Sequence, residues 1–296
     1  MIPGINVSHW QREIDWSEVK RSGVKFAFLK ATEFPEKRTI LKIDDQLQKN
    51  IEGASSNNIY WGAYHYFRTH IDPVIQAKLF CQSVGNFSSL PAVLDLEVAG
   101  TRGERLNYKV RLFLDEVEKI SGRKPIIFTS EGFWRSYMCA EKSSHADWAR
   151  DYSLWTAQFT SLWPTAMYPW AGWDFWQYTD KGKIPGIQTT VDMNWFNGSE
   201  LDLAARFVDT QREYTTIDRG AEAEPTFISA NEQAKSFDAS DSIEDFKGDF
   251  QEPVNQFRST HSPRSEMRPI QEKIMTQNGN SFNEEDWIRE YFLQSA

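Results

Sequence analysis

The sequence predicts an α/β fold: an irregular TIM-like barrel of about five βα units plus three plain strands, carrying a polar C-terminal extension. Three observations carry this expectation. Strand-like and helix-like stretches alternate over the first 130 residues, the rhythm of a parallel sheet. Strands then continue while helical patterns stop. Near residue 210 the composition changes: eleven of the twelve Trp precede it, and 17 acidic against 9 basic residues follow it, so nearly all of the −9 net charge lies in the tail.

The strands read in order as "GINVS" (4–8), "KFAFLKAT" (25–32), "YWGAYHYF" (60–67), "AVLDLE" (92–97) and "PIIFTS" (125–130). Between them the apolar spacing predicts helices at 16–21, 44–54, 73–84 and 106–120. "SLWTAQF" (153–159), "WDFWQYT" (173–179) and "TTVDMNWF" (189–196) read as strands joined by loops. The barrel is assigned to 1–208. Residues 209–296 are too polar to offset their ordering entropy and read as an acidic, largely extended or disordered extension. Within it, Trp287, Ile288, Tyr291 and Phe292 share one face of a helix that Asn283 caps, read either as a docking element for a protein partner or as a segment folded back on the barrel.

Several function classes are excluded. The acidic balance argues against nucleic acid. No window is apolar enough to insert in a membrane. There is no HExxH, P-loop, GxGxxG or GxSxG, and His9, His65, His70, His145 and His261 are scattered, so no metal or cofactor is expected. His9 and His65 read as structural hydrogen-bonding groups. Cys81 and Cys139 read as free thiols, with a disulfide left open. The sequons at Asn6, Asn86 and Asn197 read as chance matches. "MIPGINVSHW" has no basic or apolar leader, so delivery by another agent is expected.

In barrels of this kind, polar residues at the C-terminal strand ends build the active site. The expected rim holds Asn6 and Ser8, Lys30 and Glu33, Tyr64 and Tyr66, Asp95 and Glu97, then Gln158, Gln177 and Asp192, each at a strand end. Asp95 and Glu97 are two apart and so share a face. Two close carboxylates resist double ionisation, which pushes at least one pKa upward. A protonated carboxyl paired with a second carboxylate is what glycosidic cleavage requires. Many aromatics, 14% of residues, add flat faces for sugars.

Eight segments in order resemble glycoside hydrolase family 25, the muramidases: "GINVSHWQ" (4–11), "FAFLKATE" (26–33), "GAYHYFR" (62–68), "AVLDLE" (92–97), "PIIFTS" (125–130), "LWTAQF" (154–159), "WDFWQYTDKGKIPGI" (173–187) and "VDMNWF" (191–196). The resemblance covers nearly all of 2–198. It implies bacterial peptidoglycan as substrate and cleavage of the β-1,4 bond between N-acetylmuramic acid and N-acetylglucosamine. It implies Glu97 as general acid and Asp95 as partner carboxylate, either a nucleophile or a group orienting the substrate's N-acetyl. Asp192 is then a third acid, with Glu33, Tyr64, Trp176 and Gln177 lining the groove. An ion pair with Lys30 is the other reading of Glu33. The family's first strand usually carries Asp where this chain has Asn6, a supporting polar group without charge. The rival reading is a barrel retained for glycan binding or virion structure after catalysis weakened. The expected setting is a phage lysin, made in the cytoplasm and acting on the wall after release, or a lysozyme carried in the particle.

Overall fold

The computed structural model describes residues 1–208 except 37, 86–87, 140–145 and 161–162. The extension, the helix expected around Trp287 to Phe292, and Asn86, His145 and His261 lie outside the described residues.

The chain runs β1 Ile2–Val7, α1 Trp16–Arg21, β2 Phe26–Glu33, β3 Lys42–Ile43, α2 Leu47–Ser56, β4 Tyr60–Tyr66, α3 Pro73–Val84, β5 Val93–Asp95, α4 Glu104–Ser121 and β6 Ile126–Ser130. A single turn, α5 Glu131–Phe133, continues into a π turn, Trp134–Met138, and a 3-10 turn follows at Asp147–Asp151. The chain then forms β7 Ser153–Ala157, β8 Phe175–Gly182, β9 Val191–Phe196 and α6 Glu200–Phe207.

Helix starts follow local chemistry. Asp15 accepts the Ser17 and Glu18 amides ahead of α1, and Asp72 accepts those of Val74 and Ile75 ahead of α3, whose first residue is Pro73. Ser199 and Asp202 form a reciprocal capping box on α6.

Eight strands close a barrel in the order β1, β2, β4, β5, β6, β7, β8, β9, with β9 returning to β1 and β3 added at the end of β2. Pairs from β1–β2 through β7–β8 are parallel. β9 runs antiparallel to both β8 and β1, because the β8–β9 link, residues 183–190, is too short for the crossover of about a dozen residues that a parallel neighbour needs. The expected five βα units and three further strands are therefore present, but the last strand is reversed.

Inside, Phe26, Phe28, Val93, Ile126, Phe128, Trp155, Phe175 and Phe196 make a dry core. Gly4 belongs to this packing: a Cβ there would lie 2.3 Å from the Phe26 ring, so only glycine lets that ring fill the barrel bottom. Helix α6 was not foreseen, and it plugs the same end. Leu203 and Phe207 enter the core, and Phe207 meets Phe175 and Phe196 at ring distances of 5.3 and 5.8 Å. Arg123 anchors the plug by donating to the Phe207 carbonyl.

Candidate active site

Apolar residues fill the lower barrel, so polar side chains collect at the opposite rim. Strand alternation turns Asn6, Lys30, Tyr64, Asp95 and Gln177 inward above the aromatic core. Asp192 joins them by a different route from the one expected. It sits at the start of β9, not at a strand's C-terminal end, and reaches the rim because β9 is reversed, where it pairs with Asn6.

β5 stops at Asp95, shorter than the sequence suggested, and Glu97 lies just beyond it. Two backbone bonds hold the transition: Phe67 N donates to Asp95 O at 3.0 Å, and Leu96 N to Phe128 O at 2.9 Å. Asp95 is only 6% exposed, whereas Glu97 is half-buried. Asp95 Oδ1 is buried without a hydrogen-bond partner. Burial pushes the Asp95 pKa well above the usual carboxylate range, and the Glu97 charge pushes it further, against Lys30 and Arg68. The pair thus resists double ionisation, as the spacing of two suggested, and Asp95 is the group whose pKa is raised.

Tyr64 lies among the acids. Its phenol is shifted well up by burial and then by Asp95, Asp192, Asp44 and Glu97. Tyr66 responds to burial, Glu97 and Asp95, and its ring receives Arg68 at 4.6 Å and Lys30 at 5.2 Å. Glu33 is buried in ion pairs, 3.3 Å from Lys30 Nζ and 3.7 Å from Arg68 Nη2. This realises the ion-pair reading of Glu33.

Gln177 faces inward and its Oε1 is buried without a partner. Trp176 cannot also face inward, since neighbouring strand residues alternate. It lies on the outer wall, 7% exposed, donating Nε1 to Gln158 O at 2.7 Å. Among its described residues that wall has no crossover helix, and aromatics cover it instead. Trp163, 62% exposed, lies 6.0 Å from Trp173 and 6.4 Å from Trp176, and Tyr178 stacks on Trp195 at 5.8 Å. The expectation that Trp176 lines the groove is corrected on this ground.

His65 and His9 are held by hydrogen bonds within the fold. His65 points out of the barrel between Thr32 Oγ1 at 2.8 Å and Gln76 Oε1 at 3.0 Å, stacked on Phe113. Burial lowers its pKa to about 4, so it is neutral. His9 binds Asp44, which accepts both its backbone amide and its Nδ1. Burial opposes ionisation of Asp44, but those bonds and the Gln46 amide outweigh it and lower the pKa. Cys81 and Cys139 are free thiols. Among the described residues no group of His, Cys, Asp and Glu could hold a metal, and no helix is long and apolar enough to cross a membrane.

Three rim residues were not foreseen. Asp44 read as a helix start, Arg68 only as the last residue of the segment 62–68, and Asn194 as a plain strand position. The signal for the last two was available, since Arg68 follows Tyr66, and Asn194 follows Asp192, at the spacing of two that keeps a strand face.

The profile of "Glycosyl hydrolases family 25" matches residues 5–187. The chain belongs to this family. Lysozyme M1 of Streptomyces globisporus is 32% identical over 216 residues, covering 69% of this chain and 70% of that protein. Protein YegX of Escherichia coli K12 is 37% identical over 220 residues, covering 72% and 75%. The crystal structure of a bacterial lysozyme from Streptomyces coelicolor superposes with a TM-score of 0.63 at 31% identity, covering 69% of this chain and 95% of that one. This family 25 chain is accordingly a glycoside hydrolase of the muramidase kind, acting on peptidoglycan.

Proposed function

We propose that the rim cleaves the β-1,4 bond between N-acetylmuramic acid and N-acetylglucosamine, with Glu97 as the general acid. One observation carries the assignment: of the two coupled carboxyls, Asp95 is buried and Glu97 keeps a half-open face towards a substrate. The proton that the pair retains is delivered through Glu97 to the glycosidic oxygen as the bond to the anomeric carbon breaks, leaving Asp95 ionised, and Glu97 then relays a proton from the incoming water back to the pair.

Asp95 acts as the partner. Its buried, unpartnered Oδ1 is an acceptor for the substrate's acetamido N–H. The acetamido oxygen then attacks the anomeric carbon, and water opens the resulting ring. Asp192 supplies negative charge to the cationic sugar, and Asn6, Tyr64 and Gln177 complete the polar lining. Glu33 acts through its ion pairs with Lys30 and Arg68.

Substitution Glu97→Gln tests the reading. Hydrolysis of purified peptidoglycan is expected to fall by ~10²–10⁴-fold with an unchanged melt. Mass spectrometry of the wild-type digest is expected to find reducing N-acetylmuramic acid ends. Activity of the variant within about threefold of wild type places the proton donor elsewhere. A phage source, as released lysin or particle component, is the sequence-based part of the same proposal, and proteomics of purified particles tests it.

A further inference from the structure

The hydrogen bonds behind Asp192 permit only one polarity. The indole Nε1–H of Trp155 is a donor and nothing else, and it meets Asn194 Oδ1 at 2.9 Å. The Asn194 oxygen is thereby committed as acceptor. Its Nδ2 donates to Asn6 Oδ1 at 2.9 Å and, at 3.5 Å, to the backbone carbonyl of Asp192. With its oxygen occupied, Asn6 turns Nδ2 outward and donates to Asp192 Oδ2 at 2.7 Å. Asp192 Oδ2 must accept. The amide orientations are therefore fixed by the indole rather than by choice.

The root of the chain cannot move. Trp155 is 1% exposed and wedged against Phe28 and Phe128, each ring 4.4 Å away. Asn194 is fully buried and Asn6 nearly so. Such a sequence of bonds polarises each member in the same sense.

We propose that Trp155, Asn194 and Asn6 form a one-way hydrogen-bond relay that holds Asp192 as an ionised carboxylate at the rim. Trp155 and Asn194 are positioning residues, buried beneath the site and acting through Asn6. This rests on the reading of the rim as the place of glycoside cleavage. A fixed negative charge there stabilises a sugar that becomes cationic in the transition state.

The identity of residue 6 follows. An acid at this position would place a second carboxyl 2.7 Å from Asp192, and the two would have to share a proton. Asn keeps the geometry and supplies the proton covalently, as N–H. Other charged or titratable groups also face this place. Tyr64 on β4 lies within electrostatic reach of Asp192 and also of Asp95 and Glu97 at and just beyond the end of β5 and of Asp44 before α2. Asp180 and Lys181 occupy the β8 bulge opposite β9. On β1 the rim group is Asn6, and His9 beyond it is turned to Asp44.

The test uses the full chain with ¹³C-labelled aspartate, following the Asp192 carboxyl carbon by NMR against pH. In wild type it is expected to read as carboxylate throughout the active pH range. Asn6→Asp is expected to replace this with two coupled steps, the upper one raised by about one pH unit or more. Asn194→Leu, which does not touch Asp192's carboxyl, is expected to raise its titration and to lower kcat more than it raises KM. A protonated Asp192 in active wild type overturns the proposal, as does a folded Asn194→Leu protein whose Asp192 titrates as in wild type. Should that variant fail to fold, Asn6→Asp decides, and a wild-type titration of Asp192 in it overturns the relay. The carboxyl signal needs no turnover. If Glu97→Gln stays active, the assignment of the acid fails while the relay stands or falls on its own data.

Discussion

Asp95 gives up solvent for its place beside Glu97, and the cost has a pH signature. Its native pKa is raised by burial and by Glu97. The folded chain therefore keeps a proton that the unfolded chain releases as pH climbs through the ordinary carboxylate range. Stability falls over that window, up to the native pKa, at about 1.4 kcal/mol per pH unit for one such group. Asp95→Asn removes the titration. The variant is expected to be less active, yet to melt higher than wild type at neutral pH, with no advantage in acid where Asp95 is protonated in both states. Equal melts at neutral pH would show that the carboxyl is not held neutral. The Asp95–Glu97 pair was legible because a two-residue spacing is a geometric fact of extended chain. Arg68 and Asn194 obey the same spacing, but no apolar run ends on them, so that signal was weaker than the one at Asp95 and Glu97. Trp176 was misplaced because residue type alone does not say which of two adjacent strand positions faces inward.

Elements were legible to the degree that their ends are written locally. Helices α1 and α3 match their expected limits, each preceded by an Asp that caps it. Helix α6 was missed because eight residues without a long apolar stripe carry little signal, and its role comes from packing under the barrel. The direction of β9 was also invisible, since a strand reads the same both ways and only the shortness of the β8–β9 link reverses it. β4 shows what alternation does for one element. Tyr64 faces the acids, while its neighbour His65 faces the helices, hydrogen-bonded on both nitrogens. The His65 pKa is lowered to about 4 from 6.5. Below about pH 6.5 the unfolded chain takes up a proton that the native state refuses, so stability is expected to drop by up to about 3 kcal/mol between pH 6.5 and 4. His65→Gln, which can still bond to Thr32 and Gln76, is expected to flatten this slope in urea titrations run at both pH values. An unchanged slope assigns the acid sensitivity to other groups.

At the scale of the molecule, the charge and tryptophan boundary near 210 leads us to propose that the barrel folds without the extension. Removal of residues 211–296 is expected to leave a cooperative melt and activity on purified wall fragments, and an insoluble product would move the boundary. Phe207 lies on the other side of that division. Its ring fills the barrel floor with Phe175 and Phe196, so Phe207→Ala in the full chain is expected to cost about 3–5 kcal/mol, read as a lower denaturant midpoint at constant slope.

The reversed final strand also sets the traffic of the chain. Because β9 descends beside an ascending β1, Ile2 and Phe196 are register partners at the floor, and the first residues and the exit into α6 share the end farthest from the acids. The barrel is thus a tool with its handle opposite its blade. A tag, bead or surface attached at the N-terminus leaves the cutting rim pointing outward, so solid-phase versions need no long spacer to reach a polymeric wall. An insertion at the β8–β9 turn, which lies at the rim, would instead stand in the polymer's path.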